Sequence, residues 1–376
     1  MQTFDTIVVG AGSMGLAAGY YLAKEGQSVL LLDAFNPPHD QGAHHGETRL
    51  IRFAYGEGLK YVPFVLRAKA LWEELETEAT REIFKRVGVL NFAPAGDPYM
   101  KNVLASAQQF HLPLEILTAE GANERWPGIH FPGNMDIYFE PTSGILMIEN
   151  ILHTYYELAV QHGATIRANE RVTAIDAANG QVVVQTNKNA TYTAKNCIVT
   201  VGAWAKTLLA QTGVTIPLRP IRKTFAWYEA DEQLYAENKF PGFAYINGSE
   251  GFYGFPSIDG AGLKIGRHDL GMPINPDDAP IPFGEVEQDQ EDLDRFLHTF
   301  MPQVGELKFG KTCMYDMTPD EDFIIDTHPN HENIVFATGF SGHGFKFASA
   351  VGEALKDIAT TGKTKVDLTP FKLDRF

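Results

Sequence analysis

Apolar runs alternate with helical patterns of apolar residues at the start of the chain. Residues 6–9 (TIVV) form a short β-branched run that is typical of a buried parallel strand. Apolar residues then recur with helical spacing through Leu16, Tyr20 and Leu22, and a second apolar run follows at residues 28–32. This order predicts a β-α-β unit, which is the building block of a parallel sheet.

Glycines occupy the first turn of this unit. Gly10, Gly12 and Gly15 form the pattern G-x-G-x-x-G between the strand and the helix, and Asp33 ends the second strand. The glycines suit a tight turn, a close approach to a pyrophosphate and close packing of helix on strand, while Asp33 can accept hydrogen bonds from a ribose hydroxyl. The alternative is a glycine-rich turn without a ligand. The pattern favours a dinucleotide and leaves NAD and FAD both open.

A second glycine-rich loop lies near the end of the chain. An apolar run at residues 334–337 leads into Gly339, Gly342 and Gly344, and a helical pattern follows. The start of this helix offers free N–H groups and partial positive charge to an anion, and Lys346 adds a full charge. Two such loops on one sheet suit a long, two-ended cofactor better than a nicotinamide cofactor, which favours FAD.

The chain between these loops predicts a second domain. Residues 145–217 return to short strands and helices, with Asn179-Gly180 as a hairpin turn signal. From residue 217 to about residue 317 the runs alternate like an antiparallel sheet with one covered face. We therefore predict an α/β fold with a discontinuous Rossmann-like FAD-binding domain (residues 1–85, 145–217 and 318–376) and an α+β substrate domain with an antiparallel sheet (residues 86–144 and 218–317).

Composition narrows the class of protein. At 376 residues the chain is longer than one core usually grows. It has no apolar run near the length of about 20 residues that a membrane helix needs, so we expect no membrane partner. A net charge of −16 argues against nucleic acid. Two cysteines, Cys197 and Cys313, do not form a disulfide framework, so we expect a reducing, cytoplasmic location.

Basic residues nevertheless cluster locally. Two histidines and two arginines lie within residues 44–52, directly after the nucleotide-binding unit. Since arginine binds carboxylate or phosphate at two points, this cluster predicts an anionic ligand, with a solvated basic loop as the alternative. Lys264 and His268 are four residues apart in a predicted strand and so share one face. A surface lysine and a satisfied histidine would explain this pair equally well.

Several longer segments carry a resemblance to one family. They are GAGSMG (10–15), HHGETRLIRFAYGEG (44–58), FYGFPS (252–257), GLKIGRH (262–268), CMY (313–315), DEDFIID (320–326) and GFSGHGFKF (339–347). On these segments the chain resembles the family of monomeric sarcosine oxidase and N-methyltryptophan oxidase, flavoenzymes that demethylate secondary amino acids. The resemblance covers essentially the whole chain. It implies a p-hydroxybenzoate-hydroxylase-like fold, in which the sheet of the smaller domain covers the flavin, and a monomer.

The resemblance implies a covalently bound FAD. The thiolate of Cys313 would be joined to the flavin 8α-methyl group, although the pattern alone would make Cys313 a buried structural residue. Cys197 lies in an apolar run and is expected to be an inert core cysteine. The expected cofactor-binding residues are Gly10, Gly12, Ser13, Met14, Gly15, Asp33, His44, Thr48, Val172, Cys313, Gly342, Gly344 and Lys346.

The same resemblance implies roles in substrate binding and catalysis. Arg52 and Lys346 match the pair that binds the substrate carboxylate, and Arg49 and Lys264 match residues on opposite faces of the flavin ring. Further polar residues of the site match His45, His268 and Tyr315. We expect no metal.

The expected reaction is oxidative demethylation of an N-methyl amino acid by O2. It would yield the free amino acid, formaldehyde and H2O2, with Lys264 stabilising the negative charge that builds on oxygen. Sarcosine and N-methyltryptophan are weighted about equally as substrates, because residues 1–33 resemble the sarcosine branch whereas residues 221–229 and 366–376 resemble the N-methyltryptophan branch. Ala244 stands where sarcosine-oxidising relatives place a bulkier residue. The alternatives are a related dehydrogenase that uses another electron acceptor and a nucleotide-binding sensor without catalysis.

Overall fold

The computed structural model describes residues 2–178 and 180–376. Its strands are β1 (Gln2–Val9), β2 (Val29–Leu32), β3 (Thr48–Ile51), β4 (Phe84–Lys85), β5 (Val89–Pro94), β6 (Glu115–Leu117), β7 (Met135–Glu140), β8 (Gly144–Met147), β9 (Thr165–Arg167), β10 (Val172–Ala178), β11 (Gln181–Thr186), β12 (Thr191–Val199), β13 (Arg219–Tyr228), β14 (Gly242–Asn247), β15 (Glu250–Phe255), β16 (Leu263–Arg267), β17 (Met272–Pro273), β18 (Leu307–Met317), β19 (Ile324–His328) and β20 (His331–Thr338). Its α-helices are α1 (Ser13–Lys24), α2 (Val62–Glu78), α3 (Pro98–Phe110), α4 (Ala119–Arg125), α5 (Ile148–Gln161), α6 (Ala205–Ala210), α7 (Glu232–Tyr235), α8 (Gln288–Phe300) and α9 (Ala348–Thr361). Short 3-10 helices lie at Leu59–Tyr61, Gly202–Trp204, Phe345–Phe347, Thr369–Phe371 and Leu373–Arg375.

The first sheet contains eight strands and carries the predicted nucleotide-binding unit. Its path runs β10-β11-β12-β1-β2-β9, and β20 pairs with both β12 and β19. Strand β1 lies parallel to β2 on one side and to β12 on the other, and β20 lies parallel to β12. The apolar faces of α1, α2, α5 and α9 form one core with this sheet. The α/β class predicted for this part of the chain is confirmed.

The second sheet has nine strands, in the order β17-β13-β16-β15-β14-β5-β7-β6 with β18 beside β13. Its pairs are antiparallel except for β5 and β14, which run parallel. The sheet is therefore mixed rather than purely antiparallel, because β5 enters it from a distant part of the chain. Helix α8 covers one face, where Phe92, Phe243, Phe296 and Phe300 form an aromatic core. The opposite face carries the polar residues described below.

A small third sheet, β3-β8-β4, lies between the two larger ones in sequence. All strands of the first sheet come from residues 2–32, 165–199 and 324–338, and those of the second from residues 89–140 and 219–317. The domain boundaries themselves stay a prediction. Strands β10 and β11 pair as an antiparallel hairpin, although Asn179 of the predicted turn lies outside the described residues. In the described chain, no helix is both long and apolar enough to span a bilayer.

Candidate active site

The glycine-rich turns meet at one edge of the first sheet. The loops that follow β1, β12 and β20 leave neighbouring parallel strands at the same end, where doubly wound sheets bind their ligands. Gly10 has a φ of +93°, and a Cβ there would lie 2.5 Å from the Thr200 carbonyl oxygen. A Cβ at Gly15 would lie 1.8 Å from the oxygen of Gly10, so neither position admits a side chain. At Gly12 the nearest atoms belong to the His44 ring at 3.6 Å, which leaves the backbone open to a ligand.

These loops border a cleft of about 370 Å³. The predicted residues that line it are Gly10, Gly12, Ser13, Met14, Asp33, His44, Arg49, Val172, Gly342 and Gly344. Its lining also includes Met314, Phe345 and a group of rings in which Phe35 packs against His39 and Trp204. Both glycine-rich loops therefore border one cleft.

Asp33 holds the first glycine loop together. Its Oδ2 accepts a hydrogen bond from the Ala11 N–H at 2.6 Å, and its Oδ1 accepts one from the Phe35 N–H at 2.8 Å. The ring nitrogen Nε2 of His39 lies 3.2 Å from the same Oδ1. The carboxylate still lines the cleft, so contact with a ribose stays a prediction.

Directly paired residues of the second sheet form rows on the face opposite α8, here called the inner face. One row crosses the sheet in the order Asn91, Ala244, Tyr253, Gly266, Phe225 and Lys311. The next contains Phe255, Lys264 and Trp227, and a further pair is Lys223 and Cys313. Since paired residues point to the same side, one sheet face presents lysines, a thiol and aromatic rings together.

The side-chain ammonium of Lys264 is buried on the inner face. Its Nζ donates hydrogen bonds to the Thr48 hydroxyl at 2.9 Å and to the Gly46 carbonyl. Burial and the nearby charge of Arg49 lower the pKa of Lys264 well below its ordinary value. Its Nζ lies 4.7 to 5.1 Å from the ring centroids of Phe225, Phe255 and Trp227. A cation in such a dry site acts strongly on any negative charge that forms beside it.

Arg49 lies close enough to Cys313 for its charge to act on the thiol. The Arg49 guanidinium donates to the carbonyls of Ala43 (3.1 Å) and His45 (2.8 Å), and no acidic side chain of the described chain pairs with it. Burial raises the pKa of the Cys313 thiol, while the charges of Arg49 and Lys223 act to lower it. Arg49 therefore keeps an uncompensated positive charge at the cleft and beside the thiol.

Arg52 and Lys346 form a second cationic cluster, and the carboxylate of Glu57 binds there. Arg52 Nη2 donates to Glu57 Oε1 at 2.7 Å, and Lys346 Nζ donates to the His343 carbonyl at 2.7 Å and to the Tyr55 hydroxyl at 3.3 Å. Burial would raise the pKa of Glu57, but the charges of Arg52, His343 and Lys346 lower it to about 2. Burial and the charge of Arg52 lower the pKa of Lys346 to about 7. A carboxylate already binds at this position, as expected of an anion site.

The remaining predicted residues lie between these clusters. Burial and the charges of Lys223, Arg52 and Lys346 together lower the pKa of His268 to about 4. The His268 ring lies 5.7 Å from the Tyr315 ring. A Cβ at Gly342 would lie 2.2 Å from Tyr315, so this glycine makes room for the tyrosine. His45 packs beside Phe225, with ring centroids 6.1 Å apart.

These residues fit FAD. A dinucleotide needs exposed backbone at the pyrophosphate, and Gly12, whose nearest neighbour is the His44 ring, supplies it at the cleft wall. The isoalloxazine ring needs positive charge at its edge, and Arg49 lines the same cleft. FAD would supply the two-electron chemistry there.

The fold and the cleft define an FAD-dependent oxidoreductase, and the chain belongs to that family. The family model described as "DAO: FAD dependent oxidoreductase" matches residues 5–358. The chain is 48% identical to monomeric sarcosine oxidase of Bacillus sp. over 375 residues, which is 99% of this chain and 96% of the relative. It is 47% identical to N-methyl-L-tryptophan oxidase of Escherichia coli, over 99% of each chain. Among solved structures, NikD, an unusual amino acid oxidase, matches with a TM-score of 0.87 at 23% identity, covering 99% of this chain and 98% of NikD.

Some residues of the site were not among those predicted from the sequence. Lys223 follows the apolar register of Ile221, Phe225 and Trp227 on β13, and a lysine in such a register is a signal of a buried charge. Asn91 interrupts the apolar strand β5 in the same way. Glu57 carries no such signal, because an acidic residue in an acidic chain is ordinary.

Proposed function

We propose that this protein oxidises N-methyl amino acids with O2, through an FAD that is joined covalently to Cys313. The observation that carries the proposal is that Arg49 lines the cleft and lies close enough for its charge to act on the buried Lys264, Cys313 and Lys346, the last of which also feels the charge of Arg52. The named activities of the two curated relatives support the substrate class. The balanced reaction is an N-methyl amino acid plus O2 and H2O, giving the amino acid, formaldehyde and H2O2.

The anion site formed by Arg52 and Lys346 holds the substrate carboxylate. Glu57 must leave Arg52 when the substrate binds, so the substrate carboxylate replaces the Glu57 carboxylate. This fixes the N-methyl carbon relative to the cofactor, and such positioning alone lowers a barrier by several kcal/mol. The surrounding positive charges favour loss of the proton from the substrate amine, whose free electron pair the oxidation requires.

Lys264 and the inner face serve the second half of the reaction. Negative charge builds on O2 as it is reduced, and the buried Lys264 ammonium stabilises that charge. The buried rings of Phe225 and Trp227 and the partly buried ring of Tyr253 exclude bulk water from this side. We also propose that the protein acts as a monomer, as the name of one relative suggests, and in the cytoplasm, since both cysteines are unpaired.

A peroxide assay tests the function. Purified protein is supplied with sarcosine, N-methyl-L-tryptophan, N-methyl-L-alanine or L-proline in air, and H2O2 and formaldehyde are measured. We expect equal amounts of both products from at least one N-methyl substrate. Oxidation of substrate without H2O2 would instead support a dehydrogenase with another acceptor.

Replacing Cys313 tests the covalent bond. In Cys313→Ser the flavin is expected to leave the protein on acid precipitation, whereas in the unchanged protein it stays in the pellet. Cys197→Ala is the matched control, because Cys197 lies in β12 among core residues. Release of flavin from the unchanged protein by acid would contradict the covalent bond.

The depressed pKa of Lys346 predicts a pH dependence of carboxylate binding. In the free protein Lys346 carries its positive charge below its pKa of about 7 and loses that charge above it. Above about pH 7, the dissociation constant of propionate is therefore expected to rise about tenfold per pH unit, as one linked proton requires. Flavin absorbance reports this binding. The slope is expected to vanish in Lys346→Met, and a flat profile in the unchanged protein would contradict the assignment.

A further inference from the structure

Asn91 lies beside Arg52, the proposed carboxylate anchor. Only one end of its buried amide makes a hydrogen bond. The residue is fully buried in β5, and its Oδ1 accepts a hydrogen bond from Arg52 Nη1 at 3.5 Å. Its Nδ2 has no hydrogen-bond partner among residues 2–178 and 180–376. Folded proteins rarely leave a buried N–H2 group without an acceptor, because its lost hydration is not replaced.

The orientation of this amide follows from its neighbour. A guanidinium only donates hydrogen bonds, so the amide oxygen faces Arg52 and the amide nitrogen points away from it. Within the described chain, Arg52 Nε and Glu57 Oε2 are likewise buried and unpartnered. Unused polar atoms therefore gather at the place where the substrate carboxylate would bind, which is what a polar ligand requires.

Ala244 has the shortest side chain beside this amide. It pairs directly with Asn91 on one side and with Tyr253 on the other, so all three side chains point to the inner face. The methyl group of Ala244 reaches less far from the sheet than the amide and the phenol on either side of it. This position adjoins the carboxylate anchor through the contact between Arg52 and Asn91.

We propose that Asn91 and Ala244 form a subsite for the side chain of the substrate, and that Asn91 Nδ2 donates a hydrogen bond to it. This inference rests on the proposed function and makes its substrate class narrower. The preferred substrate is an N-methyl amino acid whose side chain carries a hydrogen-bond acceptor close to the α-carbon. Sarcosine lacks such a group, and an apolar side chain of the same shape leaves the amide unsatisfied, which a site built to hydrogen-bond disfavours.

Two probes of equal shape isolate this hydrogen bond. N-methyl-L-asparagine and N-methyl-L-leucine have side chains of similar size, and only the first bears an acceptor. We expect kcat/KM to be about tenfold higher for N-methyl-L-asparagine, and we expect Asn91→Leu to bring the ratio to about one or below. The ratio cancels any shared effect of the substitution on Arg52. An unchanged ratio in Asn91→Leu would overturn the proposal.

Equilibrium binding gives a second readout that does not need turnover. Succinamate and 4-methylpentanoate are the same two molecules without the methylamino group, and flavin absorbance reports their dissociation constants. Succinamate is expected to bind more tightly to the unchanged protein, with the preference lost in Asn91→Leu. Equal loss of succinamate, 4-methylpentanoate and propionate binding would mean that Asn91 serves the carboxylate instead, which contradicts the subsite.

Ala244→Met tests the size of this position and does not remove the amide. The longer side chain is expected to lower kcat/KM for N-methyl-L-asparagine about tenfold more than kcat/KM for sarcosine. Equal effects on both substrates would contradict the subsite. Absence of H2O2 with all N-methyl substrates, sarcosine included, would instead reject the proposed function.

Discussion

Lys264→Met is expected to slow the reaction of the reduced enzyme with O2 by about 10³-fold, because it removes a buried positive charge from the place where oxygen gains negative charge. The ammonium lies among three aromatic rings, where solvent screens little of its field. Reduction by substrate without O2 is expected to change far less. Stopped-flow absorbance measures the two half-reactions separately.

Lys311→Met is the matched control for this change. Lys311 Nζ lies 5.2 Å from the Trp227 ring, yet its side chain is 34% exposed and pairs with Glu47 at 2.8 Å. Its loss is expected to alter oxygen reactivity by less than about threefold, since exposed charges are screened. The rate with O2 is also expected to fall as pH rises through the depressed pKa of Lys264, because the amine is charged only below it. Equal effects of Lys264→Met and Lys311→Met would reject the role of Lys264.

Arg52→Met is expected to lower kcat/KM for the N-methyl substrate by about 10²- to 10³-fold, as loss of a buried partner in a charge pair does. Binding of propionate is expected to weaken to a similar extent, since both ligands use the same carboxylate contact. Steady-state kinetics and a propionate titration measure the two effects. A normal propionate affinity in Arg52→Met would contradict the assignment of Arg52 as the carboxylate anchor.

Glu57→Gln provides the complementary variant. Glu57 forms an ion pair with Arg52 in the free protein. Neutralising Glu57 therefore leaves a buried guanidinium without a charged partner. We expect a lower melting temperature without ligand, recovery of that temperature with propionate, and propionate binding at least as tight as before. Weaker binding in Glu57→Gln would show that Glu57 supports the anion site rather than competing for it.

The cofactor cleft could be predicted from the sequence because its geometry is encoded locally. Gly15 is required by a contact with Gly10 in the same turn, Gly10 has a positive φ, and the strand–turn–helix order around them is visible in the pattern of residues. The glycine spacing of the loop after β20 is visible in the same way, although the residue that requires Gly342 is Tyr315 on the distant strand β18. The family resemblance extended these local patterns to Lys264 and Arg52, whose roles stay predictions.

The rows of the second sheet could not be predicted, because strand register is set between distant segments. Lys223 and Cys313 are neighbours only through the pairing of β13 with β18. The parallel pairing of β5 with β14 places Asn91 beside Ala244, and nothing near either residue indicates it. The pairing of Glu57 with Arg52 also depends on tertiary structure, since an ion pair between nearby residues of a loop has no fixed spacing.

A crystal structure of the FAD-loaded protein with propionate bound tests the central claim most directly. The account predicts continuous density from the Cys313 sulfur to the flavin 8α-carbon, the carboxylate on Arg52 and Lys346, and Lys264 on the flavin face away from the carboxylate. A flavin separated from Cys313, or a carboxylate bound away from Arg52 and Lys346, would contradict it.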